Sequence, residues 1–145
     1  MASFVYTRAK AKLISGAIDL DTDDIRALLV MTNTTADTDV DTEFVSGIGT
    51  LDEMDGANYV RKALAGEAVT ADLVNDRGEF DATDVTWSSL GAGTRQVAAV
   101  VLFKFVTIDA DSPLIAYIDS GGFPISANGG DLTAQWNAEG ILQAT

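Results

Sequence analysis

Residues 97–105, Val97-Ala98-Ala99-Val100-Val101-Leu102-Phe103-Lys104-Phe105, carry a single charge, Lys104. The run is dominated by β-branched and aromatic side chains, which suit a pleated surface packed against neighbours. It reads as a β-strand covered on both faces rather than as a helix. Asp109-Ala110-Asp111-Ser112-Pro113 breaks the chain, and a second apolar leg follows, Leu114-Ile115-Ala116-Tyr117-Ile118, ended by Asp119-Ser120-Gly121-Gly122. After the turn Asn128-Gly129-Gly130-Asp131, Leu132, Ala134 and Trp136 alternate with Thr133, Gln135 and Asn137, the period of a strand with one wet face. The three legs are expected to run antiparallel at the centre of a small β domain.

A chain of 145 residues, 47% hydrophobic, is one domain's worth and can bury a core without covalent staples. The sequence has neither cysteine nor histidine. That removes disulfides, thiolate metal sites and Cys nucleophiles, together with the usual general base, the Ser-His-Asp arrangement and the commonest metal ligand. The formal charge is −13, from 22 acids against 9 bases. Such a surface repels phosphate backbones, so nucleic acid is not an expected partner; it faces solvent or meets a complementary basic surface. No apolar run approaches the ~20 residues of a membrane span. Arg8, Lys10 and Lys12 are followed only by Leu13-Ile14 before Ser15-Gly16 and then acids, unlike a signal peptide, so cytoplasmic synthesis is expected.

Residues 1–17 suit a strand, with Ala9, Ala11 and Leu13 alternating with Lys10 and Lys12, and suit a short helix equally well. Residues 25–31 read as a strand and 32–41 as a polar loop. The best helix is expected over residues 42–54, where Phe44, Ile48 and Leu51 share a face, although Gly47 and Gly49 weaken it. Residues 59–64 read as a strand. Residues 67–74 and 79–82 read as a hairpin closed by Asn75-Asp76-Arg77-Gly78, with Val69, Ala71 and Leu73 on one side. Residues 84–87 continue it, Gly91-Ala92-Gly93 is a joint, and residues 140–145 form a last short strand or apolar tail. The whole is expected to be a single domain over residues 1–145, mainly β, an antiparallel β-sandwich or jelly-roll-like fold with one short helix.

The acidic clusters invite a calcium reading. Yet Asp19-Leu20-Asp21-Thr22-Asp23-Asp24 lacks the glycine and the distal glutamate of an EF-hand loop, and Asp37-Thr38-Asp39-Val40-Asp41 fails in the same way, so both read as solvated turns. Glu79 with Asp81, and Asp109 with Asp111, have the spacing of a carboxylate pair on one strand face, which many surface acids share. Trp87, Tyr117, Phe123 and Trp136 would make a sugar-stacking patch if exposed together, but core packing is the commoner fate of such rings. No nucleotide motif is present. The chain is expected to have no catalytic residues, no metal site and no cofactor.

Several blocks together form a pattern: residues 24–30 with Thr42-Glu43-Phe44-Val45; Tyr59 to Leu64; residues 75–87, Asn75-Asp76-Arg77-Gly78-Glu79-Phe80-Asp81-Ala82-Thr83-Asp84-Val85-Thr86-Trp87; and Leu114 to Asp119 through Gly122-Phe123-Pro124, Asn128-Gly129-Gly130-Asp131 and Trp136. This pattern resembles a family of small tailed-bacteriophage virion proteins. The resemblance implies a capsid decoration, or cement, protein on the outer surface of the phage head. Its partners would be the major capsid protein and other copies of itself, as a trimer, with no nucleic acid and no membrane. A head-fibre base, a neck or tail component, or a carbohydrate-binding β-sandwich that contacts the host are the alternatives. Candidate shell contacts are the basic segment Arg8, Lys10 and Lys12, the 32–41 loop, and Ile141 and Leu142.

Overall fold

The apolar run at residues 97–105 becomes the middle strand of a five-stranded antiparallel sheet. The computed structural model describes residues 3–145. The strands are β1 (Phe4–Val5), β2 (Ile25–Met31), β3 (Lys62–Ala63), β4 (Ala68–Asp72), β5 (Arg77–Asp81), β6 (Val85–Trp87), β7 (Val97–Lys104), β8 (Leu114–Ile118), β9 (Leu132–Ala134) and β10 (Leu142–Ala144). One α-helix, α1 (Thr7–Ser15), lies between β1 and β2. Three antiparallel sheets result, ordered β1-β8-β7-β2-β3, β10-β5-β4 and β6-β9. The molecule is mainly β and sandwich-like, with one short helix, as the sequence predicts.

Both faces of the large sheet are covered, which is why β7 and β8 read as unbroken apolar runs. On one face Ile25, Ala27, Leu29 and Met31 of β2 join Val100 and Leu102 of β7 in a core with Trp87, Leu90, Leu132 and Ala134 from the β6-β9 side and Phe80 of β5. On the other face Leu28, Val30, Ala99, Val101 and Phe103 pack with Tyr6, Ala9, Ala36, Val45 and Ile48. A bulge opposite Val30 and Met31 leaves Ala98 unpaired, so Val97 and Val100 reach the same core despite their odd spacing. Full burial of each such aliphatic side chain contributes roughly 1.5–3 kcal/mol.

Four local readings are corrected. Residues 42–54 are not an α-helix; only a 3-10 turn, Val45–Gly47, forms there. Val45 and Ser46 donate their N–H groups to the carbonyls of Ser112 and Asp109 (both 3.1 Å), and Leu114 donates to Glu43 (2.9 Å). Pairing with the 109–114 segment takes the backbone groups a helix would use, and the two glycines remove the propensity that would resist it. The helix falls instead on the ambiguous segment, where alanine, lysine and leucine favour it and Gly16, at φ 76°, ends it with a bond to the Leu13 carbonyl. Within residues 59–64 only Lys62 and Ala63 pair as strand. The hairpin turn lies at residues 73–76, because the Asp72 carboxylate accepts the N–H groups of Val74 and Asn75 (3.0 and 3.2 Å) and Asp76 takes the left-handed φ of 54°. Arg77 and Gly78 are therefore strand. Finally, the leg at residues 132–134 pairs with β6, not with β8.

Candidate functional site

Among the candidate contact residues, Arg8 and Lys10 stand exposed on α1 and neither has an ion-pair partner among the described residues. Lys12 is half-buried, bound to Glu43 at 2.9 Å and lying over the Phe44 ring. Ile141 and Leu142 are half-buried against the core, with Ile141 donating its N–H to the Phe80 carbonyl at 2.7 Å. The 32–41 loop is an ordered cover on the sheet. Tyr6 donates its hydroxyl to the Ala36 carbonyl (2.8 Å), and Asp39 accepts from the Thr35 hydroxyl (2.6 Å) and the Gly49 N–H (2.8 Å).

The structure brings two of these residues together. Lys10 and Leu142 line one groove of about 580 Å³ between α1 and the inner face of the β10-β5-β4 sheet. The register explains its floor. Val69 lies opposite Phe80, which lies opposite Leu142; the next inward row is Ala71, Gly78 and Ala144. In the first row Phe80 and Leu142 close on the core, while Val69 stays half exposed. The second row has only small side chains and leaves the space open. Across the groove stand Leu13 and Ile14 of α1. Alanine at 9 and leucine at 13 face inward, so the neighbouring Ile14 must point out.

Bare apolar side chains stand in this groove and along the hairpin. Ile14 is 90% exposed, Val69 51%, and at the hairpin tip Leu73 and Val74 are 85% and 90% exposed. A second, smaller group, Val60, Val106 and Ile108, is also exposed. The sequence reading placed Val69, Ala71 and Leu73 on one side of a hairpin but missed that this side would stay uncovered. The available signal was the adjacent apolar pair Leu13-Ile14 in a nine-residue helix, of which only one can face a core.

The acidic candidates are acceptors in structural contacts. Asp23 binds Lys104 (2.8 Å) and accepts the Asp19 N–H (2.8 Å). Glu79 holds Arg77 (2.7 Å). Asp111 accepts the N–H groups of Thr107 and Ile108 (3.0 and 2.9 Å), and these with the Thr107 hydroxyl hold its carboxyl below the usual range. Arg61 clamps Glu53 through Nε and Nη2 (2.8 and 2.7 Å) and Asp109 through Nη1 and Nη2 (2.6 and 3.0 Å), and its guanidinium lies over the Phe103 ring. Among the described residues no group of three or more acids is placed to hold a metal ion. Of the four aromatic candidates, Trp87 and Tyr117 are buried and Phe123 and Trp136 half-buried, so they form no joint exposed patch. No helix among the described residues is long and apolar enough to cross a membrane.

Comparison with known proteins gives no match: no family model, no curated protein and no solved structure is similar to this chain.

Proposed function

We propose that this chain is a decoration protein of a tailed-bacteriophage head, docking on the outside of the assembled shell and reinforcing the lattice of the major capsid protein. The observation that carries the reading is the bare apolar surface shared by α1 and the β4-β5 hairpin, set in a molecule of charge −13. A surface of that kind favours contact with another protein once the partner is available. The acidic remainder disfavours DNA and keeps free copies apart. Shell contact runs through Ile14, Val69, Leu73 and Val74, with Lys10, which has no ion-pair partner among the described residues, on the same groove as Ile14 and Val69. Three copies around a local three-fold position satisfy closed rotational symmetry, and many weak contacts over a shell reinforce one another.

Reconstruction of particles by electron cryomicroscopy tests this directly. The expected result is density for this chain in hundreds of copies spread over the head, with α1 and the hairpin toward the shell. Bare heads, with the chain confined to a ring at the neck or tail, would replace the decoration role by a connector role. A second arm adds purified protein to shells lacking it. Leu73→Ser and Ile14→Ser are expected to leave the melting temperature unchanged and to lower occupancy.

A further inference from the structure

We propose that the free edge of β4, with the groove behind it, takes an extended, cation-bearing segment of a partner protein as a fourth strand of the β10-β5-β4 sheet. The inference rests on the decoration reading only for who donates that segment, which is then the major capsid protein.

The first argument is the contrast between edges. The outer strands of the large sheet, β1 and β3, are two residues each, too short to template another chain. β4 is also an edge strand, yet it is five residues long, Ala68-Val69-Thr70-Ala71-Asp72. It carries no lysine, no proline and no bulge, devices that ordinarily block edge pairing, and its one charged residue, Asp72, stands at its end. Its first four residues are exposed. Its outer backbone groups are therefore available to a partner strand, which gains affinity from main-chain hydrogen bonds and specificity from pockets for alternate side chains.

The second argument is that such a pocket exists. The inward row Ala71-Gly78-Ala144 is a shallow apolar floor. A Cβ built on Gly78 would meet only the Ala144 Cβ, at 3.9 Å, so the floor has room above it. Side chains of an added strand can reach over Val69 into this space toward Ile14.

The third argument is charge. The groove lining itself is balanced, with Lys10 and Glu79 as its charged residues. The hairpin around it is not. Residues 67–84 hold Glu67, Asp72, Asp76, Glu79, Asp81 and Asp84 against one base, Arg77, which Asp72, Glu79 and Glu139 already surround at 3.4, 2.7 and 3.4 Å. A second copy pairing β4 against β4 would bring two such acidic hairpins together. A donor with lysine or arginine at its ends is complementary instead.

The test titrates the purified protein with three short peptides, followed by amide chemical shifts. One alternates valine and threonine with lysine at both ends; the second has glutamates at the ends; the third has the lysine ends and a central proline, which cannot extend a sheet. The expected result is binding of the first, with shifts at residues 68–74 and 142–144, binding about tenfold weaker or absent for the other two, and loss with added salt. Gly78→Val adds a strand-favouring side chain to the floor. It is expected to keep the melting temperature and weaken the first peptide about tenfold or more, a loss of about 1.4 kcal/mol or more. Val69→Lys does the same through the edge. Equal binding of lysine and glutamate peptides, no binding of the first, indifference to both variants, or a concentration-dependent dimer through β4 each overturns the proposal. Shells separate the two readings. If wild type and Gly78→Val occupy shells equally, the groove proposal falls and decoration stands. If shells stay bare while the lysine peptide binds, decoration falls and the groove stands.

Discussion

Raising the pH should unfold this protein through its tyrosines, and the structure sets the size of the effect. The chain has three, and none is an ordinary surface phenol. Tyr6 is fully buried and donates its hydroxyl to the Ala36 carbonyl; burial pushes its pKa far up, with Tyr117 and the carboxylates of Asp39 and Asp37 adding to the shift. Tyr59 is also pushed far up, first by burial and then by Glu53, whose carboxylate accepts the Tyr59 hydroxyl at 2.7 Å, while the Tyr59 hydroxyl oxygen itself accepts the Leu29 N–H at 3.0 Å. Tyr117, stacked on Phe4, is pushed up to about 12 by burial, with Asp37 and Asp119 adding. In the unfolded chain each titrates near 10. Each folded pKa is thus raised, so the stability these groups contribute is complete below about pH 10 and is lost as pH climbs from there through the folded values. Each contributes about 1.4 kcal/mol per pH unit, and all three together about 4, so about 8 kcal/mol is gone by about pH 12. That is of the order of the whole stability of such a domain. The assay follows tyrosinate absorbance and circular dichroism together along an alkaline titration. The expected result is one steep, shared transition well above pH 10, less steep by about a third in Tyr117→Phe. A tyrosinate step near pH 10 with the dichroism intact would refute the reasoning.

Three further outcomes follow from single contacts. Asp52, at a left-handed φ of 46° that asparagine tolerates, binds Arg95 and accepts the Asn33 N–H at 2.8 Å; the Arg95 contact first, then that N–H, hold its carboxyl low. Asp52→Asn should cost about 1 kcal/mol at neutral pH, since Arg95 is partly exposed, and the gap should begin to narrow below about pH 4, where the unfolded carboxylate protonates, and close as pH falls through the lower folded value; a gap unchanged in acid urea melts rules out the charge as its cause. Gly56→Ala would set a Cβ 2.1 Å from the Gly91 carbonyl oxygen, so a loss of about 1–3 kcal/mol is expected by denaturant titration, while Gly78→Ala should be neutral or better; equal melting of both contradicts the packing. Arg61→Met leaves Glu53 and Asp109 without their shared cation and should cost about 2 kcal/mol, with a double mutant carrying Glu53→Gln losing less than the two added; strict additivity would show the clamp is not a unit.

The strands whose identity came from burial were legible in the sequence. β7 up to Phe103 and β8 throughout are apolar because both faces of the sheet are covered, and β9 alternates because one is not. What failed were assignments resting on local propensity alone. Phe44, Ile48 and Leu51 have helical spacing, but the same side chains serve a loop laid across a sheet, and the backbone partners that decide between the two, at Asp109 and Ser112, are more than sixty residues away. The turn after Asp72 was misplaced because Gly78 advertises flexibility that the fold does not use, whereas Asp76 supplies the positive φ. Of the candidate contacts, Lys10 and Leu142 line one groove, Lys12 binds Glu43, and Ile141 and Leu142 both rest against the core. The apolar face of the hairpin was visible, but its exposure depends on how far the sheet overhangs, which only the register reveals.

The long β2-β7-β8 ladder is shielded on both sides by side chains that belong to other segments, while Val69 and Ala71, the inward residues of β4, belong to neither core. In the reading proposed above, folding and docking are therefore written largely on different strands. In that reading, change at the exposed positions of β4 and the hairpin tip retargets docking without disturbing the slab, whereas Phe80 on β5 belongs to the core and has to stay apolar.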